Sequence, residues 1–490
     1  MKLSELLKKV KPLAVRGNPD REVSGIAYDS RQVGPEMLFV AIPGAHCDGF
    51  EYAEEAIKRG ASVVVTSHSR LSSREVTQVQ VEDTRQALAE ICDAFYGHPS
   101  GALTVVGITG TNGKTTTAFM VRDVLESVGR IPGLLGTVHY EIGARIIPAR
   151  RTTPEALEIQ DYLSQMVRAG CRSVAMEVSS HALDQQRVSG VDFDVAIFTN
   201  LTRDHLDYHH TMEQYFEAKR RLFTGLGKGG KRAVAVINHD DPWGRKLAGD
   251  PEIGVDVVTF GIEPGAMVQV VDLQLGANGS ECKVTTPWGE SVVSTPLLGR
   301  FNVQNVLGAY TAGRVLQLDE AAMIKALAAR ARVPGRLEEI PVEKGWRVFV
   351  DYAHTDDALA NVLETARGFT EGRLIVVFGC GGNRDKTKRA MMGAVAARHS
   401  DMAIVTSDNP RDEDPAAIIS QICSGFGSRT HYEVVEDRAK AIAMALAVAR
   451  EKDVIIIAGK GHETTQEIAG VQTLFDDRVA VKKALREMDG

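Results

Sequence analysis

The segment LTVVGITGTNGKTTTAFMVRDVLESVG, residues 103–129, constrains the fold more than any other part of the chain. An apolar run rich in β-formers is followed by glycines, a lysine and three threonines, and then by an amphipathic helical pattern. In that order of elements, loop N–H groups and the helix N-terminus form a cradle for anions. The segment therefore predicts a phosphate-binding loop within an α/β fold.

The loop carries the residue types that bind a nucleotide. Gly110 and Gly113 allow close approach to phosphates, Lys114 supplies a positive charge, and the Thr115 hydroxyl suits Mg²⁺. The general pattern places a glycine five residues before Gly113, whereas this chain has Ile108 there. We predict that the nucleotide-binding loop comprises Gly110, Thr111, Asn112, Gly113, Lys114, Thr115 and Thr116.

Apolar strands alternate with helical segments along most of the chain. One set follows residue 99 (LTVVGIT, SVAMEVS, DVAIFTN and AVAVIN), and a second follows residue 336 (RVFVDYAH, RLIVVFG, MAIVTSD and VIIIAGK). This alternation is typical of mostly parallel sheets covered by helices on both faces. Residues 255–296 instead alternate with a period of two between turns, which predicts an antiparallel appendage.

A length of 490 residues indicates more than one hydrophobic core. Turn chemistry in AFYGHPSGA and the start of a new set of strands after VPGRLEE mark two boundaries. We predict three α/β domains: residues 1–98, residues 99–335 with the phosphate loop, and a Rossmann-like domain at residues 336–490. The loops DYAH, GCGGNRDK, SDNPRDED and GKGHE would share one sheet edge of the third domain, where open α/β sheets bind ligands.

Composition excludes several classes of protein. The chain is 44% hydrophobic and 25% charged, the balance of a globular protein, and its net charge of -7 argues against nucleic-acid binding. The N-terminal lysines do not fit a signal peptide, and no apolar run could span a bilayer, so we expect a cytoplasmic location. Six cysteines without a CxxC pair predict neither a zinc site nor disulfides.

Three polar residues near the phosphate loop have unusual positions. Glu177 and His205 lie at strand ends, where a carboxylate and an imidazole could reach Mg²⁺ directly or through water. Lys219 lies on the apolar face of the helix MEQYFEAKRRLF. On the helical pattern alone, a lysine stem that snorkels to solvent is the favoured interpretation of Lys219.

The chain resembles the Mur ligases from end to end. The resemblance rests on nine motifs in order: TGTNGKTT, RTTPEA, EVSSHAL, TNLTRDHLDYH, YFEAKRRLF, LLGRFNVQN, PGRLE, DYAH and SDNPRDEDP. It implies an enzyme of cell-wall (peptidoglycan) synthesis whose three domains bind a UDP-sugar, ATP and an amino acid. It also implies amide-bond formation through an acyl phosphate, without a protein nucleophile.

The resemblance assigns roles to individual residues. It implies two Mg²⁺ ions held by Thr115, Glu177, His205 and a carbamylated Lys219, with Lys114 also catalytic. Contacts with the UDP moiety are expected from Ser30 and His46, and contacts with the muramoyl dipeptide from Thr152, Thr153, Ser179, Gln185 and Arg187. Nucleotide positioning is expected from Asn302, Asn305, Arg336 and Asp351.

The amino-acid substrate is predicted from DNPR, residues 408–411. An arginine fork suits a second carboxylate, which meso-diaminopimelate has and lysine lacks. The expected amino-acid site is Arg384, Asp408, Asn409, Pro410, Arg411, Gly459 and Glu463. From charge patterning alone, Arg411 would instead form a surface ion pair with Asp412, Glu413 or Asp414.

Other functions remain open at this point. A sibling ligase that adds L-lysine, or a folate-polyglutamate type of enzyme, would share the architecture. A non-catalytic nucleotide switch would need the phosphate loop but not Glu177, His205 and Lys219. We expect a monomer whose partners are small molecules only.

Overall fold

The computed structural model describes residues 1–44, 47–69, 75–329, 332–427 and 432–489. Three β-sheets and one two-stranded hairpin follow one another along the chain, each large sheet with helices on its faces. Within the described residues, no helix has both the length and the apolar character needed to cross a bilayer.

The first sheet has five strands in the order β1-β5-β4-β3-β2, all parallel except β1. Its strands are β1 (Ala14–Arg16), β2 (Ile26–Ala27), β3 (Met37–Val40), β4 (Ala61–Thr66) and β5 (Thr77–Gln80). Its helices are α1 (Leu3–Leu6), α2 (Ala53–Lys58) and α3 (Thr84–Phe95), with 3-10 turns at Ser30–Gln32 and Gly49–Tyr52. Every residue of β4 is buried because the strand lies between two apolar layers.

The central sheet has eleven strands in the order β16-β15-β14-β13-β12-β11-β6-β10-β7-β8-β9. The strands are β6 (Thr104–Thr109), β7 (Pro132–Leu135), β8 (His139–Ile142), β9 (Arg145–Pro148), β10 (Ser173–Glu177), β11 (Val195–Phe198), β12 (Val234–Asn238), β13 (Asp256–Gly261), β14 (Val268–Gly276), β15 (Gly279–Thr286) and β16 (Gly289–Thr295). Neighbouring strands from β14 to β7 are parallel, and antiparallel pairs extend the sheet beyond β14 at one end and beyond β7 at the other.

Two apolar layers cover the central sheet. The helices are α4 (Lys114–Ser127), α5 (Ala156–Arg168), α6 (Ser180–Asp184), α7 (Leu206–His209), α8 (Met212–Thr224), α9 (Pro242–Ala248), α10 (Arg300–Val315) and α11 (Glu320–Ala329), after a 3-10 turn at Pro99–Ala102. Helices α4, α10 and α11 bury their apolar side chains in one layer, and α5 and α8 in the other. The phosphate loop therefore lies at the edge of a sheet packed on both faces.

The third sheet has six strands in the order β17-β18-β22-β19-β20-β21, all parallel except β17. The strands are β17 (Glu338–Ile340), β18 (Arg347–Asp351), β19 (Leu374–Phe378), β20 (Met402–Val405), β21 (Tyr432–Val434) and β22 (Val454–Ala458), and a hairpin follows with β23 (Thr465–Ile468) and β24 (Val471–Leu474). The helices are α12 (Asp356–Arg367), α13 (Lys388–His399), α14 (Pro415–Cys423), α15 (Arg438–Val448) and α16 (Asp477–Asp489). Because β18, β22, β19 and β20 are parallel neighbours, their following loops emerge at one edge.

The predicted antiparallel appendage is correct for β14–β16 but wrong for the run VVTF in β13. Strand β13 pairs parallel with β12, because α9 carries the chain back over the sheet before the next strand. The antiparallel pair β8 and β9, at the other end of the sheet, was not predicted from the sequence.

Candidate active site

The phosphate loop joins β6 to α4 and packs tightly against its neighbours. Gly110 has φ +152° and Gly113 has φ +84°. A Cβ added at Gly110 would lie 1.8 Å from Thr199 Oγ1, and one at Gly113 would lie 2.2 Å from Asn305 Oδ1. Glycine is therefore required at both positions by the backbone conformation and by the close approach of protein atoms.

Hydrogen bonds hold the loop from the end of β11. Thr111 N donates to Asn200 O over 2.9 Å, and Asn112 N donates to Asn200 Oδ1 over 2.9 Å. The Thr111 side chain donates to Thr202 O, and Thr116 is buried in the first turn of α4. The course of the loop is thus fixed by the segment that follows the adjacent strand.

Lys114 and Lys219 place two ammonium groups beside the same loop carbonyl. Lys114 Nζ donates to Gly110 O (3.0 Å) and Thr111 O (2.9 Å), and Lys219 Nζ donates to Gly110 O (2.7 Å). Burial lowers the pKa of both amines, and the charge of Lys114 lowers the pKa of Lys219 further. The charges of Glu177 and Asp204 oppose the shift at Lys114, and that of Asp204 opposes it at Lys219, but among the described residues no salt bridge joins either amine to a carboxylate.

The interpretation of Lys219 as a snorkelling stem is wrong. The residue is 1% exposed, and its Nζ lies 4.5 Å from the centroid of the Tyr215 ring. The helical pattern identified the apolar face but could not show that the phosphate loop covers the end of the side chain.

Glu177 lies at the end of β10 and joins the phosphate loop to the neighbouring strand. Its Oε2 accepts hydrogen bonds from Thr115 Oγ1 and Thr137 Oγ1, both over 3.0 Å, and its Oε1 accepts from Thr137 N over 2.7 Å. The residue is 1% exposed. Thr137 follows β7, and no single motif of the sequence points to it, because only the pairing of β7 with β10 brings it to Glu177.

His205 lies on the same side of the sheet with an unusual backbone. It has φ +55° and precedes α7, and its Nε2 lies 3.4 Å from Asp204 Oδ2. Its ring contacts those of His181 and Tyr215 edge to face. Burial lowers the pKa of His205, while the negative charge of Asp204 opposes that shift.

The donors at the phosphate loop fit a magnesium ion that arrives with a nucleotide. Within the described ranges, no three His, Cys, Asp or Glu side chains form a group that could hold a metal by themselves. Mg²⁺ commonly takes one or two protein carboxylates together with phosphates and waters. The Thr115 hydroxyl and the Glu177 carboxylate, 3.0 Å apart beside Lys114, are such a set.

The residues predicted to bind the dipeptide form one connected group next to Glu177. Thr153 Oγ1 donates to Glu177 O over 2.8 Å and accepts from Ser179 N over 3.0 Å. Arg187 donates to Thr153 O (3.0 Å) and to Gln185 Oε1 (2.6 Å). Thr152 joins the group because its Oγ1 lies 3.0 Å from Thr137 Oγ1, whose single proton is directed to Glu177.

Glu155 is a further residue of this region that the sequence did not single out. Its carboxylate is buried, lies 3.0 Å from Arg187 Nε and accepts a hydrogen bond from Arg151. Arg85 Nη1, on helix α3 beside the first sheet, lies 3.6 Å from Glu155 Oε2. Glu155 thus orients Arg187 and connects the first sheet to the second, and its place directly after RTTP was the available signal.

Three of the four residues predicted to position the nucleotide line a common cavity, and the fourth lies behind them. Asn305, Arg336 and Asp351 line a cavity of about 400 Å³ together with the phosphate loop, Glu177 and His205. Asn302 lies behind Asn305 and accepts a hydrogen bond from its amide over 3.2 Å.

Arg336 and Asp351 come from the C-terminal sheet side of the cavity. Arg336 Nη2 donates to Thr115 Oγ1 over 2.9 Å, and its guanidinium lies over the Tyr352 ring at 4.5 Å. Burial raises the pKa of Asp351, whose oxygens accept from Leu337 N and Ala353 N. The cavity is therefore closed by both the central and the C-terminal sheets.

Two further contacts join these sheets across the cavity. Arg203 Nη2 donates to Asp356 Oδ1 over 2.7 Å, and Asn112 Nδ2 donates to Asp357 Oδ2 over 2.8 Å. Both acids begin α12, where a helix N-terminus favours negative charge. Asn112 thereby links the phosphate loop to α12, the helix that follows β18 of the third sheet.

The residues predicted to bind the amino acid gather at the carboxyl edge of the third sheet. Asn409 Nδ2 donates to Glu463 Oε2 over 2.8 Å. Gly459 has φ +114°, and a Cβ there would lie 2.5 Å from Asp408 Oδ2. Arg384 is exposed on the loop after β19, and Gly382 of that loop packs against Pro410 O.

Arg411 has a left-handed backbone, φ +53°, that the hairpin holds in place. Its N donates to Glu467 O and its O accepts from Ala469 N, while Nη1 donates to Gly382 O over 2.6 Å. The predicted alternative, an ion pair with Asp412, Glu413 or Asp414, is wrong within the described residues: the nearby carboxylate is Glu467, 3.8 Å from Nε.

The residues assigned to the UDP moiety are the least defined. Ser30 is buried in the first sheet, and its Oγ donates to Glu55 Oε2 over 3.1 Å. His46 lies outside the described residues.

The site combines a phosphate loop, which lies between two α/β sheets, with a glutamate at the end of the neighbouring strand β10. This combination is typical of nucleotide-dependent enzymes, and comparison with protein families identifies the family. The chain belongs to the Mur ligase family. Residues 22–96 match the Mur ligase family catalytic domain, residues 108–313 the Mur ligase middle domain, and residues 335–461 the Mur ligase glutamate ligase domain.

Curated relatives show which members of the family the chain is similar to. The chain is 44% identical over 507 residues to a UDP-N-acetylmuramoyl-L-alanyl-D-glutamate--2,6-diaminopimelate ligase of Geobacter metallireducens, covering 100% of this chain and 99% of the relative. It is also 44% identical over 490 residues to the ligase of the same name from Caldanaerobacter subterraneus, covering 100% of both chains.

Solved structures agree with this grouping. A UDP-N-acetylmuramoyl-L-alanyl-D-glutamate--2,6-diaminopimelate ligase superposes with a TM-score of 0.70 at 32% identity, covering 100% of this chain and 99% of the other. A MurF ligase of Thermotoga maritima in complex with ADP has a TM-score of 0.63 at 19% identity, covering 94% and 97%, which is a likeness of fold. The predicted family and α/β fold class are confirmed.

Proposed function

We propose that this chain joins meso-diaminopimelate to the D-Glu carboxylate of UDP-N-acetylmuramoyl-L-Ala-D-Glu in peptidoglycan synthesis, using ATP and Mg²⁺. The observation that carries the proposal is the position of Glu177. Its side chain accepts from Thr115 of the phosphate loop, and its backbone carbonyl accepts from Thr153 of the expected dipeptide site. A phosphoryl donor and a carboxylate acceptor would thus meet on two sides of one residue. The names of the relatives support the choice of substrates.

In the proposed reaction, an oxygen of the D-Glu carboxylate attacks the γ-phosphorus and ADP leaves. The amine of the amino acid then attacks the acyl carbon, a C–N bond forms, and inorganic phosphate leaves as the amine loses a proton. Lys114 and Arg336 would stabilise the negative charge on the transferring phosphoryl group. Magnesium, held by Thr115, Glu177 and His205, would neutralise phosphate charge.

We further propose that Lys219 is carbamylated. A buried ammonium without a carboxylate partner is unfavourable beside Lys114. Reaction of the neutral amine with CO₂ forms an N–C bond, releases a proton, and replaces the cation with a carboxylate that could serve the same magnesium site.

The central test is phosphate release by the purified full chain with ATP and Mg²⁺. Release should require both UDP-N-acetylmuramoyl-L-Ala-D-Glu and meso-diaminopimelate. Release that proceeds with neither acceptor present would contradict the ligase assignment, and equal rates with L-lysine would favour the lysine-adding alternative.

Lys219 can be tested by substitution and rescue. Lys219→Ala should abolish phosphate release, and acetate or formate should restore part of it by supplying a small carboxylate. Arg220→Ala is the matched control, because Arg220 lies next on the same helix and pairs with Asp250 away from the loop. A ¹³C carbamate signal from ¹³CO₂ that persists in Lys219→Ala would rule out this modification site.

The amino-acid assignment depends mainly on Arg411. Arg411→Ala should reduce the preference for meso-diaminopimelate over L-lysine by about 10-fold to 100-fold, the worth of a hydrogen bond to a charged group. Arg398→Ala, an exposed arginine of α13, is the control. Full retention of preference would remove the reason for naming this substrate while leaving the ligase intact.

We propose that the three sheets correspond to domains at residues 1–98, 99–335 and 336–490. A monomer acting in the cytoplasm stays a prediction of the sequence.

A further inference from the structure

Lys460 is a buried lysine at the proposed amino-acid site that the function described above does not use. It lies two residues after β22, and its side chain is 0% exposed. Its Nζ donates to Glu463 Oε2 over 2.8 Å, to Asn409 Oδ1 over 3.1 Å and to Thr465 O over 2.7 Å. All three N–H donors of the ammonium are therefore satisfied.

These bonds close a ring that fixes two predicted ligand-binding side chains. Asn409 Nδ2 donates to the same Glu463 oxygen over 2.8 Å, and Asn409 Oδ1 also accepts from Glu467 N over 3.1 Å. The amide of Asn409 thus has one orientation compatible with its partners, since its oxygen faces the ammonium and its nitrogen faces the carboxylate.

The ring of hydrogen bonds involves one carboxylate oxygen of Glu463 and does not involve the other. Both bonds from Lys460 and Asn409 go to Oε2, and within the described part of the chain Oε1 accepts no hydrogen bond. The Glu463 side chain is 29% exposed. A partly exposed carboxylate whose direction is fixed suits an ammonium group of an amino acid.

Several contacts that do not involve the ammonium also hold the loop. Gly459 N donates to Asp351 O, and Glu463 N donates to Lys460 O. Gly459 and Gly461 adopt positive φ, and a Cβ at Gly461 would lie 2.7 Å from Tyr352 Cβ. Backbone bonds and glycine packing therefore shape the turn, while the Lys460 ammonium holds the Glu463 and Asn409 side chains and the Thr465 carbonyl.

We propose that Lys460 is a positioning residue of the amino-acid site, which orients Glu463 and Asn409 and balances the Glu463 charge so that Oε1 receives a substrate ammonium. This inference rests on the proposed function, because it assumes that the edge of the third sheet binds the amino acid. Lys460 itself does not touch the substrate.

The test uses Lys460→Met in the full chain, which keeps an unbranched stem and removes the ammonium. The KM for meso-diaminopimelate should rise roughly tenfold or more, the cost of losing charged hydrogen bonds. The KM values for ATP and UDP-N-acetylmuramoyl-L-Ala-D-Glu should stay unchanged within error. Lys482→Met, at an exposed position of α16, is the matched control.

A second variant separates positioning from a general structural role. In a Glu463→Gln background, Lys460→Met should add little further effect, because the partner whose charge it balances is already absent. Lys460→Gln, which keeps donors for part of the ring, should give an intermediate KM.

Several results would overturn the proposal. These are an unchanged KM for meso-diaminopimelate, an equal rise for all three substrates, or fully additive effects with Glu463→Gln. Failure of both Lys460→Met and Lys460→Gln to show a native thermal transition would also overturn it, since the fold itself would then need the lysine. If the unmodified protein lacks phosphate release dependent on meso-diaminopimelate, the proposed function fails first and separately.

Discussion

Buried positive charges have different partners at the phosphate loop and at the carboxyl edge of the third sheet. At the loop, Lys114 and Lys219 donate to backbone carbonyls. At the third sheet, Arg438 and Lys460 are fully buried against the carboxylates of Asp477 and Glu463. The unpaired charge of Lys114 suits a polyanionic ligand, whereas the paired charges of the third sheet build a rigid frame around a smaller ligand.

A second paired cation strengthens the contrast. Arg389 is 1% exposed and binds Glu413 through two parallel bonds of 2.9 and 3.0 Å. This pair lowers the pKa of Glu413 to about 2. The Arg389–Glu413 pair holds the loop that carries Arg384 against the loop that carries Arg411. Arg384 and Arg411 therefore stay available to bind a ligand.

The largest expected effect comes from breaking the frame at Arg438. Arg438→Leu leaves Asp477 buried and unpaired, which should lower the free energy of unfolding of the C-terminal region by about 3–5 kcal/mol. Urea unfolding followed by hydrogen exchange would measure the change. The double variant Arg438→Leu with Asp477→Leu should recover most of the loss, and equal losses in both would argue against the pair as the cause.

At the phosphate loop, a substitution should affect activity and leave stability nearly unchanged. Lys114→Met should lower kcat for phosphate release by roughly 10²–10³, the effect of removing one group that stabilises transition-state charge. The unfolding transition should move little because Lys114 bonds to its own loop. Lys440→Met, exposed on α15, is the control, and a destabilisation as large as that of Arg438→Leu would erase the contrast.

A smaller effect concerns the pH dependence of stability at His462, which lies between the two regions. Burial, with the charge of Arg336, lowers its pKa to about 3. In the unfolded chain the pKa is about 6.5, so the unfolded state binds the extra proton first, and stability falls as pH falls from 6.5 towards 3. His462→Gln should flatten unfolding curves between pH 6.5 and 4 by at most about 1.4 kcal/mol per pH unit. An unchanged slope would show that His462 does not contribute.

The smallest effect is expected at a paired charge that lies in solvent. Lys452 and Glu371 form an ion pair of 2.7 Å, but their side chains are 59% and 71% exposed. Water screens such a pair, so Lys452→Ala should leave the urea midpoint unchanged within error. A clear decrease of the urea midpoint would mean that burial does not explain why buried ion pairs stabilise the protein more than exposed ones.

Much of the central site was predictable because its residues lie either in one local segment or at the ends of parallel strands. The strand, loop and helix of residues 103–129 specify the phosphate loop locally, and Glu177 and His205 stand at strand ends that parallel order brings to one edge. Thr137 and Glu155 were not predicted, because their roles depend on which strands and which sheets become neighbours. The pairing of β13 was misassigned for a related reason: a period of two fits both parallel and antiparallel partners.

By itself, the sequence determined the family, the α/β class and the phosphate loop, since motif order and hydrophobic periodicity are properties of the chain. Only the tertiary structure decided which partner each buried charge has. Whether Lys219, Lys460 or Arg438 meets a carbonyl, a carboxylate or solvent depends on atoms supplied by distant segments, and the electrostatic free energy of a buried ion is set by those neighbours.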